Sequence, residues 1–268
     1  MIDRTVFGWY GFSFEHPADW GPTLISGNRE EGYVRLASAG HLGCQIRWKR
    51  AGSKPDLPSR LRPYFARLER DTRKRRQSFD SESKLEHGRL LYRWSGLAQG
   101  RGALFFSEAC SRVFFLEAFG RRSDSLMPAF RPIAASFKSA NREEPEIWSL
   151  LGLSLRFPHG LKIERKTLLA GRTHLVLTAK GARIEADRWG FAEQLIAKHG
   201  LEGWARAALG LQSTVVAAES PGLRFDSKTR LGVPISALVN HDVGQNQLTL
   251  VKVITKLDGW RPEWEWFL

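Results

Sequence analysis

A stretch near the start of the chain recurs in its second half. Residues 11–48 can be laid over residues 152–189 without an insertion or deletion, and apolar positions fall on apolar positions. The identical pairs are Gly11 and Gly152, Ser13 and Ser154, Pro17 and Pro158, Gly40 and Gly181, Arg47 and Arg188, and Trp48 and Trp189. Self-similarity at a fixed spacing indicates a duplicated structural unit. The sequence therefore predicts two tandem units, 1–140 and 146–268, joined by the polar segment 141–145.

Each half shows the same order of local patterns. Short runs of alternating residues predict strands, one longer amphipathic segment predicts a helix, and further strands and a short closing helix follow. In the first half the expected strands are 7–16, 23–25, 33–39, 44–49, 89–95, 103–109 and 112–119. We expect a turn at 100–102 and a closing helix at 125–137. The order predicts an α+β fold in which each unit has an antiparallel sheet covered by one long and one short helix.

The second half is expected to repeat this order. Strands are predicted at 148–157, 161–169, 174–180, 183–189, 214–218, 223–225, 235–240 and 247–256. The helix at 191–209 is expected to break near Gly200 and Gly203. Trp48 and Trp189 are expected to occupy equivalent strand positions.

The segment 57–77 is the clearest helix in the sequence. Its apolar residues fall within one arc of the helical wheel, and Pro63 is expected near the start of the regular helix. The opposite arc is strongly basic and has Glu69 and Asp71 as its acidic residues. The basic residues of this arc are Arg60, Arg62, Arg67, Arg70, Arg73 and Lys74.

The basic arc belongs to the more positively charged half of the chain. Residues 1–141 contain 24 basic and 14 acidic side chains, whereas 142–268 contain 17 and 14. Three interpretations remain open: a solvated outer face, a surface for an acidic protein, or a surface for nucleic acid phosphates. No aromatic residues alternate with the arginines on the exposed arc, which argues against a stacking surface for single strands.

A tryptophan-rich segment ends the sequence. A short closing helix is predicted at 261–268. Trp264 and Trp266 lie within it, and Trp260 directly precedes it. Tryptophan is enriched at binding hot spots, so Trp264 and Trp266 are candidate partner-binding residues. Filling of the second core is the alternative role.

The sequence carries no recognisable catalytic or ligand-binding motif. It has no paired histidine spacing for zinc, no nucleophile elbow and no glycine-rich phosphate loop. His41 and Cys44 could supply two metal ligands, but no second pair accompanies them, and a turn followed by a buried thiol is the simpler interpretation. We therefore expect no catalytic residue, no metal and no small-molecule cofactor, and the protein is not expected to be an enzyme.

Hydropathy and the N-terminal residues bear on location. No apolar run approaches the roughly 18 residues that a membrane helix needs, so the chain is not expected to be transmembrane. The start of the sequence lacks a charged segment followed by an apolar one, as a secretion signal would have. We therefore expect a cytoplasmic protein.

The element order and two local motifs resemble the PsbP-like superfamily. This group includes the extrinsic P subunit of photosystem II, Ran-binding proteins of the Mog type and Eag-type chaperones of type VI secretion. The motifs are the segment 12–20, which reads Phe-Ser-Phe-Glu-His-Pro-Ala-Asp-Trp, and the segment 130–137, which ends in Ser-Phe. The second copy matches at 153–158 but lacks the tryptophan after Pro158 and the Ser-Phe ending. The resemblance implies two PsbP-like units and a role in binding, and it transfers no catalytic residue.

These features favour a non-catalytic binding protein: an adaptor, a chaperone or an assembly subunit built as an intrachain pseudo-dimer. Its partner is expected to be a protein, and the basic helix would suit an acidic partner. The alternative is a nucleic-acid-associated protein that binds phosphates through the same helix. An enzyme with an unrecognised site is a third hypothesis.

Overall fold

The computed structural model describes residues 3–141, 143–169, 171–210, 214–219 and 222–256. The chain divides into two compact units, Met1–Glu146 and Ile147–Leu268. Within the described residues, antiparallel strands predominate and are accompanied by helices, so the predicted α+β class is confirmed. The segment 141–145, predicted as a linker, falls at the end of unit 1. Glu146 belongs to that unit, where its buried carboxylate forms an ion pair with Arg29.

Unit 1 contains a seven-stranded antiparallel sheet in the order β3-β4-β5-β9-β8-β7-β6 and a smaller group in the order β10-β2-β1. The elements are β1 Arg4–Trp9, β2 Phe12–Pro17, β3 Gly21–Gly27, β4 Glu31–Ala37, β5 Gly43–Arg50, α1 Leu57–Lys74, β6 Asp80–Glu86, β7 Arg89–Ser95, β8 Gln99–Ser107, β9 Arg112–Gly120, α2 Met127–Ser136 and β10 Lys138–Ser139.

The two faces of this sheet carry different layers because successive side chains of a strand point to opposite sides. On one face, α1 packs against apolar side chains of β7 and β8. On the other face, the Phe12 ring of β2 lies 5.1 Å from Trp48 and 5.5 Å from Phe114, measured between ring centroids. Phe137, directly after α2, stacks on Phe12 at 5.9 Å. The sheet therefore has a core on each side.

The long helix α1 is amphipathic, as its sequence predicts, and the structure shows that its start is capped. The Asp56 carboxylate accepts a hydrogen bond from the backbone N–H of Ser59, which satisfies one of the donors left free at a helix start. Leu57, Leu61 and Thr72 are buried against the sheet. The expectation for Pro63 is wrong: the helix begins at Leu57, and Pro63 lies inside it. The cap and the buried leucines fix the helix start six residues before the proline.

The first predicted strand, 7–16, is in fact a hairpin. β1 and β2 pair with each other, and the turn between them is formed by Tyr10 and Gly11 with φ of 47° and 79°. Positive φ at both turn residues is typical of the tight turns that join two antiparallel strands. The alternating pattern continues through the turn, which conceals it in the sequence.

Two further differences concern polar or glycine-rich segments. The sequence predicts no strand between the helix at 57–77 and the strand at 89–95, but β6 lies there, pairs with β7 along its whole length and forms an edge of the sheet. Its charged side chains suit an edge strand, where they disfavour pairing with other chains. The second segment, 100–102, is not a turn but part of β8.

The glycines of β8 make room for aromatic side chains of the neighbouring strand. Gly102 lies opposite Tyr92 and Gly100 lies opposite Trp94. A Cβ atom at either glycine would overlap the side chain across from it. The two aromatic side chains therefore extend over β8 toward β9.

The second unit has a sheet of the same design. Its seven strands follow the order β13-β14-β15-β19-β18-β17-β16. When the strands of each sheet are numbered from one in chain order, this order is identical to that of the first sheet. The remaining elements of the chain are β11 Glu146–Leu150, β12 Leu153–Phe157, β13 Lys162–Leu169, β14 Arg172–Ala179, β15 Ala182–Gly190, α3 Ala192–Ile196, α4 Gly200–Leu209, β16 Thr214–Glu219, β17 Gly222–Lys228, β18 Pro234–Asp242 and β19 Gln247–Thr255.

The helices of unit 2 also follow the third strand of the sheet. The predicted break near Gly200 is confirmed because α4 begins there, whereas Gly203 lies inside α4. Ala205 and Leu209 of α4 pack against buried side chains of β17, β18 and β19. The turn between β11 and β12 repeats the first hairpin: Leu151 and Gly152 have φ of 51° and 80°.

The expected equivalence of Trp48 and Trp189 is wrong. Trp48 contacts Phe12, on the face of its sheet that α1 does not cover, whereas the Trp189 ring lies 4.9 Å from Trp204 of α4. The turn between β4 and β5 spans residues 38–42, but the turn between β14 and β15 spans only 180–181. An alignment without gaps therefore slips after this turn, and a slip of one residue moves a side chain to the opposite face.

The glycine in the middle of β8 gives a test of this packing. We expect Gly102→Ala to lower the free energy of unfolding by about 1–3 kcal/mol, because the added methyl group would displace the Tyr92 side chain. Gly21→Ala is the matched control, since Gly21 also lies in a strand and has no atom within 4 Å of the added carbon. Urea unfolding of both variants measures the difference. Equal stability of the two variants would contradict this packing.

Candidate binding surface of the long helix

All six basic residues predicted for the outer face of α1 are exposed in the structure. They lie on the side of the helix away from Leu57, Leu61 and Thr72, which face the sheet. The exposed residues are Arg60, Arg62, Arg67, Arg70, Arg73 and Lys74. The structure therefore brings these side chains together on one solvent-facing surface, which we call the basic face.

The acidic residues near the basic face neutralise only part of it. Glu69 forms an ion pair with Arg73 at 2.6 Å, and Asp71 lies 3.9 Å from Lys74. Ion pairs between such exposed groups contribute little to stability. Within the described part of the chain, no ion pair is found for Arg60, Arg62, Arg67 or Arg70.

The helix that carries the basic face is held to the sheet by a buried carboxyl group. Glu117, in the middle of β9, is fully buried. Its carboxyl oxygens accept hydrogen bonds from the Tyr64 hydroxyl of α1 at 2.9 Å, from Trp94 Nε1 at 2.8 Å and from Gln45 Nε2 at 2.5 Å. One side chain thus joins α1 to three strands of the sheet.

Burial and hydrogen bonding have opposite effects on the pKa of this carboxyl group. Burial raises the pKa of Glu117, because a charge is less stable away from water, and this exceeds the lowering by the hydrogen bonds from Trp94, Tyr64 and Gln45. Burial and the neighbouring Glu117 also raise the pKa of the Tyr64 hydroxyl. Glu117 therefore retains its proton to a higher pH than an exposed glutamate would.

Glu117 is not among the candidate residues predicted from the sequence. Its only signal is that it is the one acidic residue in the otherwise apolar second half of β9, between Leu116 and Ala118. A single acid in such a strand indicates either a polar edge or a buried polar contact. Its hydrogen-bond donors come from distant parts of the chain, so the sequence does not distinguish between these two.

The sequence contains further candidate residues outside α1. Trp264 and Trp266 lie outside the described residues, as does Trp260. His41 is exposed in the turn after β4, whereas Cys44 is buried in β5. Within the described part of the chain, no group of three or more histidine, cysteine, aspartate or glutamate side chains could hold a metal ion.

Unit 2 has a different polar arrangement on its sheet. Asp187 of β15 accepts hydrogen bonds from Arg172 Nη2 at 2.8 Å, and its other carboxylate oxygen lies 2.8 Å from His174 Nδ1. The Arg172 guanidinium also lies over the Trp189 ring, 5.1 Å from its centroid. These contacts join β14 to β15 and do not involve α4.

A scan of known protein families finds no model that matches the chain, and a search of curated proteins finds no significant match. Among the described residues, no helix combines the length and apolar character needed to cross a membrane.

The buried carboxyl group predicts a particular pH dependence of stability. The folded protein holds the Glu117 proton more tightly than the unfolded chain does, and this difference adds to the free energy of unfolding. The added stability is complete below about pH 4.3, the ordinary glutamate pKa. It decreases as the pH rises toward the raised folded-state pKa, with a slope of at most about 1.4 kcal/mol per pH unit. Glu117→Gln removes the titrating proton, so we expect its unfolding free energy to fall less with rising pH than that of the native protein.

Urea unfolding from about pH 4 to about pH 7 measures this difference. The control is Glu108→Gln, which removes an exposed acid from the turn between β8 and β9. If the native protein and Glu117→Gln show parallel pH curves, the pKa of Glu117 is not raised by folding.

Proposed function

We propose that this protein is a non-catalytic binding protein, such as an adaptor, chaperone or assembly subunit, that holds an acidic protein partner on the basic face of α1. The observation that carries the proposal is the exposure of six cationic side chains on one side of a single helix. Four of these have no ion pair among the described residues. Their charge is therefore available to a partner.

The attachment of α1 supports this role. A cationic surface binds with less entropic cost when its backbone is already held in one conformation. Here the helix is fixed by its Asp56 cap, by Leu57 and Leu61 in the core, and by the hydrogen bond between Tyr64 and Glu117. The arginine side chains remain free to adjust to the carboxylates of a partner.

The composition of the face favours protein carboxylates over single-stranded nucleic acid. Arginine suits a carboxylate because its planar guanidinium can donate two parallel hydrogen bonds. Binding of single strands relies on exposed aromatic rings on which bases stack. The aromatic residues of α1, Tyr64 and Phe65, are half-buried and pack against the core instead of lying on the basic face.

We further propose that both units descend from one PsbP-like module. In support, the two large sheets share one strand order, and in each unit a helical segment lies between the third and fourth strands of the sheet in sequence: α1 in unit 1, and α3 with α4 in unit 2. The hairpins with Gly11 and Gly152 also share a turn in which two successive residues have positive φ. The basic face has no counterpart on α4, whose sequence GLEGWARAAL carries Arg206 as its basic residue. A copied scaffold with one specialised helix accounts for this difference.

The binding role can be tested with a charge-reversed surface. Poly-glutamate serves as the acidic polypeptide, and its affinity is measured by fluorescence anisotropy at low salt. Arg62→Glu combined with Arg70→Glu should weaken binding about tenfold or more, because two attractive charges become repulsive. Arg121→Glu combined with Arg122→Glu is the control, since it makes the same change in net charge at exposed residues between β9 and α2.

Equal weakening by the two double variants would overturn the proposal, because only net charge would then matter. A short DNA duplex is titrated in parallel. If the duplex binds more tightly than poly-glutamate and responds to the same helix variants, the nucleic-acid function replaces the one proposed here.

A further inference from the structure

A cavity of about 520 Å³ lies beside the start of α1, on the face of the sheet that the helix covers. Its apolar lining includes Leu104, Val113 and Phe115, which come from β8 and β9. Its volume falls within the range of pockets that hold small organic ligands. All of its lining residues belong to unit 1.

The cavity has cationic side chains at its edge. Arg47 of β5 and Arg60 of α1 line it, together with Lys49 and Arg50. Glu31 forms an ion pair with Lys49 at 3.3 Å, and Glu30 forms one with Arg50 at 3.1 Å. Within the described residues, Arg47 and Arg60 have no such partner, so the cavity carries a positive excess.

Arg47 is held in place by aromatic rings instead of by a carboxylate. Its guanidinium carbon lies 5.1 Å from the centroid of Tyr33, and 5.8 Å from the centroids of both Tyr64 and Phe115. Such contacts stabilise the cation through the ring faces and restrict its position. They leave the N–H groups at the edge of the guanidinium unused, and no hydrogen-bond acceptor is found for them within the described part of the chain.

An oriented guanidinium beside an apolar surface suits a ligand that has both a carboxylate and an alkyl chain. A carboxylate is planar and accepts two parallel hydrogen bonds from arginine, which a hydroxyl group cannot do. The lining by Leu104, Val113 and Phe115 suits an alkyl chain. Inorganic phosphate would leave this apolar lining without a partner.

We propose that this cavity of unit 1 binds an amphipathic carboxylate, with the carboxylate on Arg47 and Arg60 and the alkyl chain against Leu104, Val113 and Phe115. This site is separate from the proposed function: it uses the edge of the helix, whereas an acidic polypeptide would use the outward basic face. Arg60 is the one residue shared by both.

Isothermal titration of the full chain with decanoate tests this site, with decanol as the uncharged probe of the same chain length. Decanoate should bind and decanol should bind at least about tenfold more weakly, because decanol lacks the charge-assisted hydrogen bonds. Arg47→Met should weaken decanoate binding by a similar factor while keeping most of the apolar stem of the side chain.

Two variants of exposed helix residues keep the test independent of folding. Arg60→Gln should weaken decanoate binding, whereas Arg62→Gln, which removes the same charge from a residue that does not line the cavity, should not. Val113→Trp should block the cavity and prevent binding. The proposal is overturned if decanoate does not bind, if decanol binds equally well, or if Arg60→Gln and Arg62→Gln have equal effects.

Discussion

The buried carboxyl group of Glu117 is the contact on which the arrangement of unit 1 depends. A buried acid is stable only when its oxygens are hydrogen-bonded, and here the donors come from α1, β5 and β7. Trp94 can reach the carboxyl group only because Gly100 leaves space between them in β8. The requirement to satisfy one acid thus fixes the position of the helix, and that position directs the arginines of α1 to solvent and places Arg60 at the edge of the cavity.

Unit 2 shows how the same strand order can be stabilised differently. At the centre of its sheet, β15 and β19 pair Glu185 with Lys252, whose Nζ lies 3.6 Å from the carboxylate. Burial raises the pKa of Glu185, but the hydrogen bond from Arg183 and the charge of Lys252 together lower the pKa by a larger amount, so the net shift is downward. A carboxylate with cationic neighbours remains charged, whereas Glu117 has neutral donors and holds its proton more tightly. The two sheets therefore share a strand order but differ in the polar groups at their centres.

The fold class and most elements could be predicted because they depend on local patterns. The helix at 57–74 has a clear apolar arc, and most strands alternate. The errors occur where the outcome depends on neighbours that are distant in sequence. β6 is polar because it is an edge, and Gly100 and Gly102 permit aromatic side chains to cross β8. The basic face was predictable from helical spacing alone, but Glu117 and the cavity were not, since both form only when α1 lies on the sheet.

The most direct test of this central contact is a ¹³C NMR titration of the Glu117 side-chain carboxyl group, assigned by its absence in Glu117→Gln. Burial against neutral donors should give a midpoint above that of exposed glutamates in the same spectrum. A midpoint equal to or below theirs would contradict the claim that a proton-retaining acid holds the helix to the sheet.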